Sequence, residues 1–415
     1  MNFLYTIGIN IYALGVKAVS VRNVKAAKMV AGQKQTLDRL HDVVRSDKKY
    51  MWIHAASLGE FEQGRPMIEK LRREHPEWGV VLTFFSPSGY DVRCNYAGAD
   101  VVCYLPFDKP GLVKSFLDAA RPAVAVFVKY EFWGNYLQEL KRRNIPTYLI
   151  SAIFRPSQPF FKWWGDMFRN MLRCYTHIFV QDESSKRLLD SIGAGENVTV
   201  AGDTRFDRVS DIQRSVVDMP DVERFVRKAK LTFIAGSSWG ADEAIYMPWL
   251  RKHPEVKVIV APHEFDDKRI NNLRASLGGK SVSLSGIGEC SDAECESAQL
   301  LVVDCFGKLS SLYRYADVAY VGGGFGEGIH NVNEAAVYGM PVLFGPKHQK
   351  FKEAKDLIAC GGAYTFTDSK EFAVIMDKLL GDNQMRNRAG EAAGKYIKEN
   401  IGATDKVMAR ILKNL

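Results

Sequence analysis

Two acidic residues stand where an apolar run gives way to a helical pattern, a setting that suits acid–base chemistry. In Trp52-Ile-His-Ala-Ala-Ser-Leu-Gly-Glu-Phe-Glu62 the apolar run ends at His54, and Glu60 falls at the entrance of the next helix. A carboxylate there can take a proton from a hydroxyl nucleophile. Ser57 and Gly59 leave room for a ligand to approach the backbone at the helix start. The same acid also favours a helix N-terminus through the helix dipole, so both readings of Glu60 stand. In Val126-Phe-Val-Lys-Tyr-Glu-Phe-Trp-Gly-Asn135, Glu131 directly follows an apolar run. With Phe132 and Trp133 it can face a sugar ring, or it is a helix-start acid beside core aromatics.

Other segments suit an anion. Phe233–Glu243 reads as strand, small-residue turn and helix start, with Gly236, Ser237 and Ser238 offering amides and hydroxyls to a phosphate. Serine capping of the helix explains the same residues. Pro262-His263-Glu264 closes another strand, and His263 is either a donor to a phosphate or a structural histidine. The strongest local signal is Tyr320–Pro346: a glycine run holding Gly322, Gly323 and Gly324, a helix expected near Asn331, then another strand. Loop amides and helix dipole favour an anion there, and Glu334 can accept from ribose hydroxyls. The run is no dinucleotide fingerprint, because Glu327 occupies the third glycine position of that motif. The P-loop lysine motif and an Asp-x-Asp pair at a strand end are both lacking, so neither a bound metal nor a cofactor is expected.

These residues must be held by a repeated α/β scaffold. The first half carries strand candidates at Tyr50–His54, Val80–Phe84, Val101–Tyr104, Ala123–Val128, Thr147–Ser151 and His177–Gln181. The second carries Leu231–Ala235, Lys257–Ala261, Leu300–Asp304, Val318–Val321 and Pro341–Phe344. Helical patterns such as Phe61–Glu74 and Tyr136–Arg143 lie between them. Apolar strands alternating with helices imply a parallel sheet covered on both faces. Asp203–Lys230 reads as a loop followed by a helix, with the domain junction near Arg208. Residues 35–207 and 208–415 are thus two Rossmann-like domains. Ligands of such sheets bind beyond the carboxyl ends of the strands, and a cleft between two domains is a favoured site. The last helix, about Asn383–Leu415, has no strand after it and is expected to pack back on the first domain.

Length and composition agree. The 415 residues suit two or three domains, and 47% apolar with 25% charged residues is ordinary for globular protein. Seven cysteines without a CxxC pair read as reduced thiols, not as a zinc site. The net charge of +8 is unevenly placed. Met1–Val16 is apolar and uncharged, and Lys17, Arg22, Lys25, Lys28 and Lys34 follow with no acid among them. The apolar stretch is shorter than the roughly 20 residues of a spanning helix. A secretory signal would carry its charge first. Residues 1–34 therefore read as a segment lying on an anionic membrane surface, the alternative being a helix docked on its own domain. No nucleic-acid partner is expected.

With these residues in hand the chain resembles the 3-deoxy-D-manno-octulosonic acid (Kdo) transferases. The resemblance rests on motif order: His54-Ala-Ala-Ser-Leu-Gly-Glu60, Glu131-Phe-Trp-Gly-Asn135, Ser151 with Arg155, and Gly202-Asp-Thr-Arg-Phe-Asp207. It continues through Gly236-Ser-Ser238, Phe306-Gly-Lys-Leu309 and Gly322 to Glu334-Ala-Ala336. It implies a metal-independent, inverting enzyme of the GT-B architecture, two Rossmann-like parallel-sheet domains facing a central cleft. It implies CMP-Kdo as donor, a lipid A precursor as acceptor, and work at the cytoplasmic face of the bacterial inner membrane. The family's catalytic base maps onto Glu60, and Glu131 is expected to be catalytic beside it. Its donor-binding segments map onto Pro262, Phe306, Gly307, Leu309, Asn331 and Glu334. Ser237, Ser238, His263, Lys308, Gly323 and Gly324 are expected beside them. Ser57, Gly59, Ser151 and Arg155 are expected on the acceptor side. The chain departs from the family where Pro-Arg-His becomes Pro262-His263-Glu264, which removes a phosphate-binding arginine, and where Glu-Thr-Glu becomes Lys129-Tyr130-Glu131. The rival readings are another GT-B transferase or epimerase using UDP-sugars, and a non-enzymatic membrane-surface binding protein of the same fold.

Overall fold

The computed structural model describes residues 3–215 and 217–413. The chain forms two compact units, one running through Arg208 and resuming at Ile401, the other spanning Val209–Asn400.

The first unit is built on seven strands: β1 Tyr50–His54, β2 Gly79–Phe84, β3 Val101–Tyr104, β4 Pro122–Val128, β5 Thr147–Ala152, β6 His177–Val180 and β7 Val198–Val200. Their order is β3-β2-β1-β4-β5-β6-β7, and every pairing is parallel. The central strands are apolar at successive positions because helices cover both faces. Trp52, Val81, Ala125 and Phe127 enter one core layer, and Met51, Ile53, Leu82 and Val126 enter the other.

Three helices precede β1: α1 Phe3–Val19, α2 Val24–Lys34 and α3 Thr36–Val43. A bend of 118° separates α1 from α2. Helix α1 is apolar on two sides, and only one is docked. Tyr5 donates to Asp108 Oδ2 at 2.7 Å, and Ala13 is buried in a cluster with Met29, Tyr104 and Phe107. The other stripe, Leu4, Ile7, Ile11 and Leu14, is exposed. Among the described residues no single helix is long and apolar enough to cross a membrane.

The second unit repeats the plan with β8 Leu231–Ser238, β9 Val256–Pro262, β10 Ser281–Ser283, β11 Leu300–Val302, β12 Val318–Val321, β13 Val342–Phe344 and β14 Ala363–Thr365. Their order is β10-β11-β9-β8-β12-β13-β14, again all parallel.

Four expectations need correction. Three strands, β7, β10 and β14, were not foreseen; each is three residues long and lies at a sheet edge. The expected loop and helix between Asp203 and Lys230 is two helices, Arg205–Arg214 and Pro220–Val226. The helix expected near Asn331 is a single turn, Asn333–Ala336. The long final helix is broken at Gly402, where φ is +101°, into Asn383–Asn400 and Ala403–Lys413. Asn414 and Leu415 lie outside the described residues. A left-handed glycine ends the first of these helices without the strain a side chain would bring. The second helix belongs to the first unit, where Val407, Met408 and Ile411 share a core with Met67, Ile68 and Leu71.

Candidate active site

In each unit the sheet has one place where the chain switches direction of build. In the first it lies between β1 and β4, and in the second between β8 and β12. The strand-end loops diverge there and leave a crevice. Ser57, Gly59 and Glu60 follow β1 and Glu131 follows β4 at the first place. Ser237 and Ser238 end β8 and the run Gly322–Gly324 follows β12 at the second; the other candidates lie at or beyond the ends of strands in the same sheets.

In the first unit His54 closes β1 in register with Thr83 of β2 and Phe127 of β4. Its ring is fully buried, with Nδ1 2.9 Å from Thr83 Oγ1 and Nε2 3.0 Å from Glu131 Oε2. Nδ1 also lies 3.2 Å from the Thr83 carbonyl, and the Thr83 hydroxyl accepts from Trp52 Nε1. His54 Nε2 points at the Glu131 carboxylate. Trp133 Nε1 also donates to Glu131 Oε2, and the Tyr175 hydroxyl donates to the Glu131 backbone carbonyl at 2.5 Å. Glu131 is thus buried and held by three neighbours.

Glu60 is held differently. It sits in the first turn of α4 (Leu58–Glu74), where Ser57 caps the helix. Ser57 N donates to Glu60 Oε2 at 3.2 Å, and Glu60 N to Ser57 Oγ at 3.5 Å. The helix-start reading of Glu60 is therefore realised, as one half of a capping box. Long bonds and partial exposure leave the carboxylate usable for more. Its pKa is raised, first by burial and then by the negative charge of Glu131. A Cβ built on Gly59 would meet nothing within 4 Å, so the backbone beside Glu60 is open to a ligand. Tyr130 is exposed, and its pKa is raised by burial and by Glu60 and lowered by Arg155. Lys129, directly after β4, has φ +63°, a left-handed backbone unusual for a side-chain-bearing residue.

Ser151 is drawn inward instead. It is buried at the end of β5 with φ +50°, and its hydroxyl shares a 3.1 Å hydrogen bond with Thr204 Oγ1. Thr204 opens a fastening that the motif Gly202–Asp207 builds. Thr204 Oγ1 donates to the Gln63 carbonyl, and Asp203 accepts from Gln63 Nε2 and from Arg205 Nε. Asp207 accepts from Gly402 N at 2.5 Å and Thr404 N at 2.7 Å. This motif anchors α4 and the final helix.

In the second unit Ser237 and Ser238 are the last residues of β8, and Ser237 has φ +51°. Ser238 is buried and shares a 2.7 Å hydrogen bond with the Tyr246 hydroxyl. Neither serine caps the helix that follows. Asp242 does so, accepting from Trp239 N at 2.9 Å, and it also takes Gly323 N and the Tyr320 hydroxyl. The glycine run is therefore tied to the first turn of the helix Gly240–Leu250. A Cβ on Gly322 would fall 2.2 Å from the Ser237 carbonyl, and one on Gly324 2.6 Å from Gly345, so close packing alone requires glycine there.

Pro262 ends β9 opposite Ser238. The His263 ring, exposed, stacks on Trp239 at 4.3 Å and on His330 at 4.6 Å. Burial and His263 lower the pKa of His330. Phe306 is 79% exposed and its ring lies 4.3 Å from Phe265. Gly307 and Lys308 beside it are exposed as well. Leu309 and Ser310 open the next helix, and Ser310 Oγ donates to Glu334 Oε2 at 2.8 Å. Asn331 Nδ2 donates to the other Glu334 oxygen at 3.1 Å. Gly236 links the two groups, since a Cβ there would strike Tyr313 and Leu309.

Sequence reasoning missed several members. His54 was quoted without a role, Trp133 was read as facing a sugar ring or the core and not as a donor to Glu131, and Tyr175 was not singled out. Nor was Arg269, which donates to Glu243 Oε1 at 2.5 Å and reaches the Ser238 carbonyl at 3.3 Å. Burial pushes Glu243 up to about 7 even against that guanidinium. No spacing in the sequence links Glu243 with Arg269.

Comparison with known proteins follows the same lines. Residues 25–208 match the family described as 3-deoxy-D-manno-octulosonic-acid transferase (kdotransferase). The 3-deoxy-D-manno-octulosonic acid transferase of Haemophilus influenzae is 26% identical over 373 residues, covering 86% of this chain and 85% of that protein. That of Bordetella pertussis is 27% identical over 383 residues, covering 86% of each. Among solved structures, the UDP-GlcNAc 2-epimerase of Neisseria meningitidis bound to UDP-GlcNAc aligns with TM-score 0.60 at 14% identity. That alignment covers 88% of this chain and all of the epimerase, a likeness of GT-B-type fold alone. The family match over residues 25–208 and relatives that extend through both units indicate a glycosyltransferase similar to the Kdo transferases.

Proposed function

We propose that the protein transfers Kdo from CMP-Kdo to a lipid A precursor with inversion at the anomeric carbon, and that Glu60 is the general base. The observation that carries this reading is the Glu60–Glu131 pair at the switch point of the first sheet. Glu60 is partly exposed beside an open glycine backbone, and its pKa is raised by burial and by Glu131. A carboxylate made more basic in this way is better suited to take a proton from a sugar hydroxyl. Glu131, locked by His54 and Trp133, supplies the charge that tunes it. Ser57 and Gly59 would shape the acceptor approach, and Arg155 would meet an acceptor phosphate.

CMP is a good leaving group and needs its developing charge stabilised, not a proton. In the second unit exposed His263 and Lys308 are the cations suited to the donor phosphate. Phe306 offers a ring face to the base, and Glu334, oriented by Asn331 and Ser310, offers acceptors to ribose. The exposed stripe of α1 and the basic residues after it support a place on the cytoplasmic leaflet of the inner membrane.

The test is incubation with CMP-Kdo and a tetraacylated lipid A precursor, followed by mass analysis of the lipid. A mass gain of one or more Kdo units, lost in Glu60→Gln, is the expected result. A gain only with a UDP-sugar, or none with any donor, would refute it.

A further inference from the structure

Where α1 and α2 fold back on the sheet they enclose a chamber of about 250 Å³ that contains neither carboxylate of the candidate site. Three lysines from three elements line it: Lys17 near the end of α1, Lys34 at the end of α2, and Lys109 just before the helix Pro110–Ala120. Its apolar lining includes Val30, Phe107 and Leu112, and no acidic residue lines it.

The charge is unanswered within the chain. Among the described residues none of the three amines has an ion pair, whereas Lys28 on the same hairpin is paired with Asp91 at 2.7 Å. Asp108, next to Lys109 in sequence, is already committed: it accepts from the Tyr5 hydroxyl, Asn135 N and Tyr136 N, while the exposed Asp38, four residues after Lys34, does not line the chamber. Three like charges around an acid-free chamber repel one another until an anion enters. A fully polar anion would leave Phe107, Val30 and Leu112 badly matched. An anionic amphiphile satisfies both, with phosphate on the amines and the root of an acyl chain on the apolar wall. The chamber is too small for a whole lipid. The rest of the chain would stay in the leaflet, where the neighbouring exposed residues Ile11 and Leu14 of α1 face out.

We propose that this chamber holds the headgroup of one anionic phospholipid, which fixes the N-terminal hairpin to the leaflet at a defined site. The proposal rests on the membrane reading above and goes beyond it, since a diffuse basic surface would need no chamber.

The experiment is native mass spectrometry of the full chain in detergent, titrated with phosphatidylglycerol or phosphatidylcholine. The first phosphatidylglycerol should bind at least about tenfold more tightly than phosphatidylcholine. Lys34→Gln with Lys109→Gln should weaken it by about tenfold or more, as expected for two phosphate-facing cations. Val30→Glu, which puts a carboxylate into the chamber, should do the same without removing a lysine. Arg22→Gln with Lys25→Gln removes equal charge outside the chamber and should change the first binding event by less than about twofold. Equal retention of the two lipids, or equal losses in the two double variants, would overturn the site. Adsorption to phosphatidylglycerol vesicles is read separately. Intact adsorption with no selective single-lipid binding overturns the site alone, and absent adsorption overturns the membrane reading.

Discussion

Replacing Glu60 with Gln separates the two jobs the structure gives this side chain. As a capping residue, Gln keeps the shape and still offers Oε1 to Ser57 N, now 3.2 Å from the carboxylate. What it loses is a charge near a helix N-terminus, worth about 0.3–1 kcal/mol. Against that stands a gain. The pKa of Glu60 is raised in the folded protein, so the unfolded chain ionises it more readily. Stability from this group is complete below the ordinary glutamate pKa and falls as pH rises through the folded value. At neutral pH the native state therefore carries a penalty that Gln removes. The opposing effects should keep the change in unfolding free energy within about 1 kcal/mol. Loss of a general base costs on the order of 10²–10⁴ in rate, or roughly 3–5 kcal/mol of transition-state stabilisation. Urea denaturation of wild type and variant, beside turnover of CMP-Kdo, gives both quantities. Turnover within tenfold of wild type would refute the base assignment. A stability loss above about 2 kcal/mol accompanying inactivity would make Glu60 a helix cap alone. The acid limb of the kcat/KM profile should lie above that of an ordinary glutamate. Glu131→Gln should move it to lower pH, because the negative neighbour that raises Glu60 is gone.

Asp207→Ala strips one buried and one half-buried backbone donor of their acceptor. It should cost about 2–4 kcal/mol and release amide exchange in residues 404–413 before the rest of the unit. His263→Ala should raise the donor KM and weaken CMP with little effect on the acceptor KM, and His263→Arg should restore part of the loss. A selective donor defect in Lys308→Ala alone would move that role to Lys308. Ionisation of Glu243, held up to about 7, should cost stability as pH rises from about 5 to 8; Glu243→Gln should flatten that slope in thermal melts. Ile11→Asp with Leu14→Asp, both on the exposed stripe of α1, should weaken adsorption to anionic vesicles without lowering the melting temperature; unchanged adsorption would show that the stripe faces something else.

The central strands were legible because each is buried on both faces and reads as an unbroken apolar run, as Tyr50–His54 and Val318–Val321 do. The edge strands Val-Thr-Val, Ser-Val-Ser and Ala-Tyr-Thr were not, since three half-covered residues carry no pattern that a loop lacks. Glu60 and Glu131 were found because both follow such runs directly. Their coupling was hidden, for it depends on β1 and β4 being neighbours, and 71 residues separate the acids in the chain. The serines before Trp239 were read as caps or phosphate donors, whereas Asp242 caps and Ser238 turns inward. Composition could not distinguish these, because Ser and Asp both favour helix starts.

The return of the helix Ala403–Lys413 to the first unit bears on the order in which the protein can be made. The ribosome delivers residues 209–400 before that helix, so the second unit has all its strands while the first still lacks Val407, Met408 and Ile411. Until they arrive, Met67, Ile68 and Leu71 have part of their cover missing and Asp207 has no helix to hold. A nascent first unit is thus an incomplete body with a specific gap. The same gap is where a chaperone, or the corresponding helix of another copy, would find an apolar seat during synthesis.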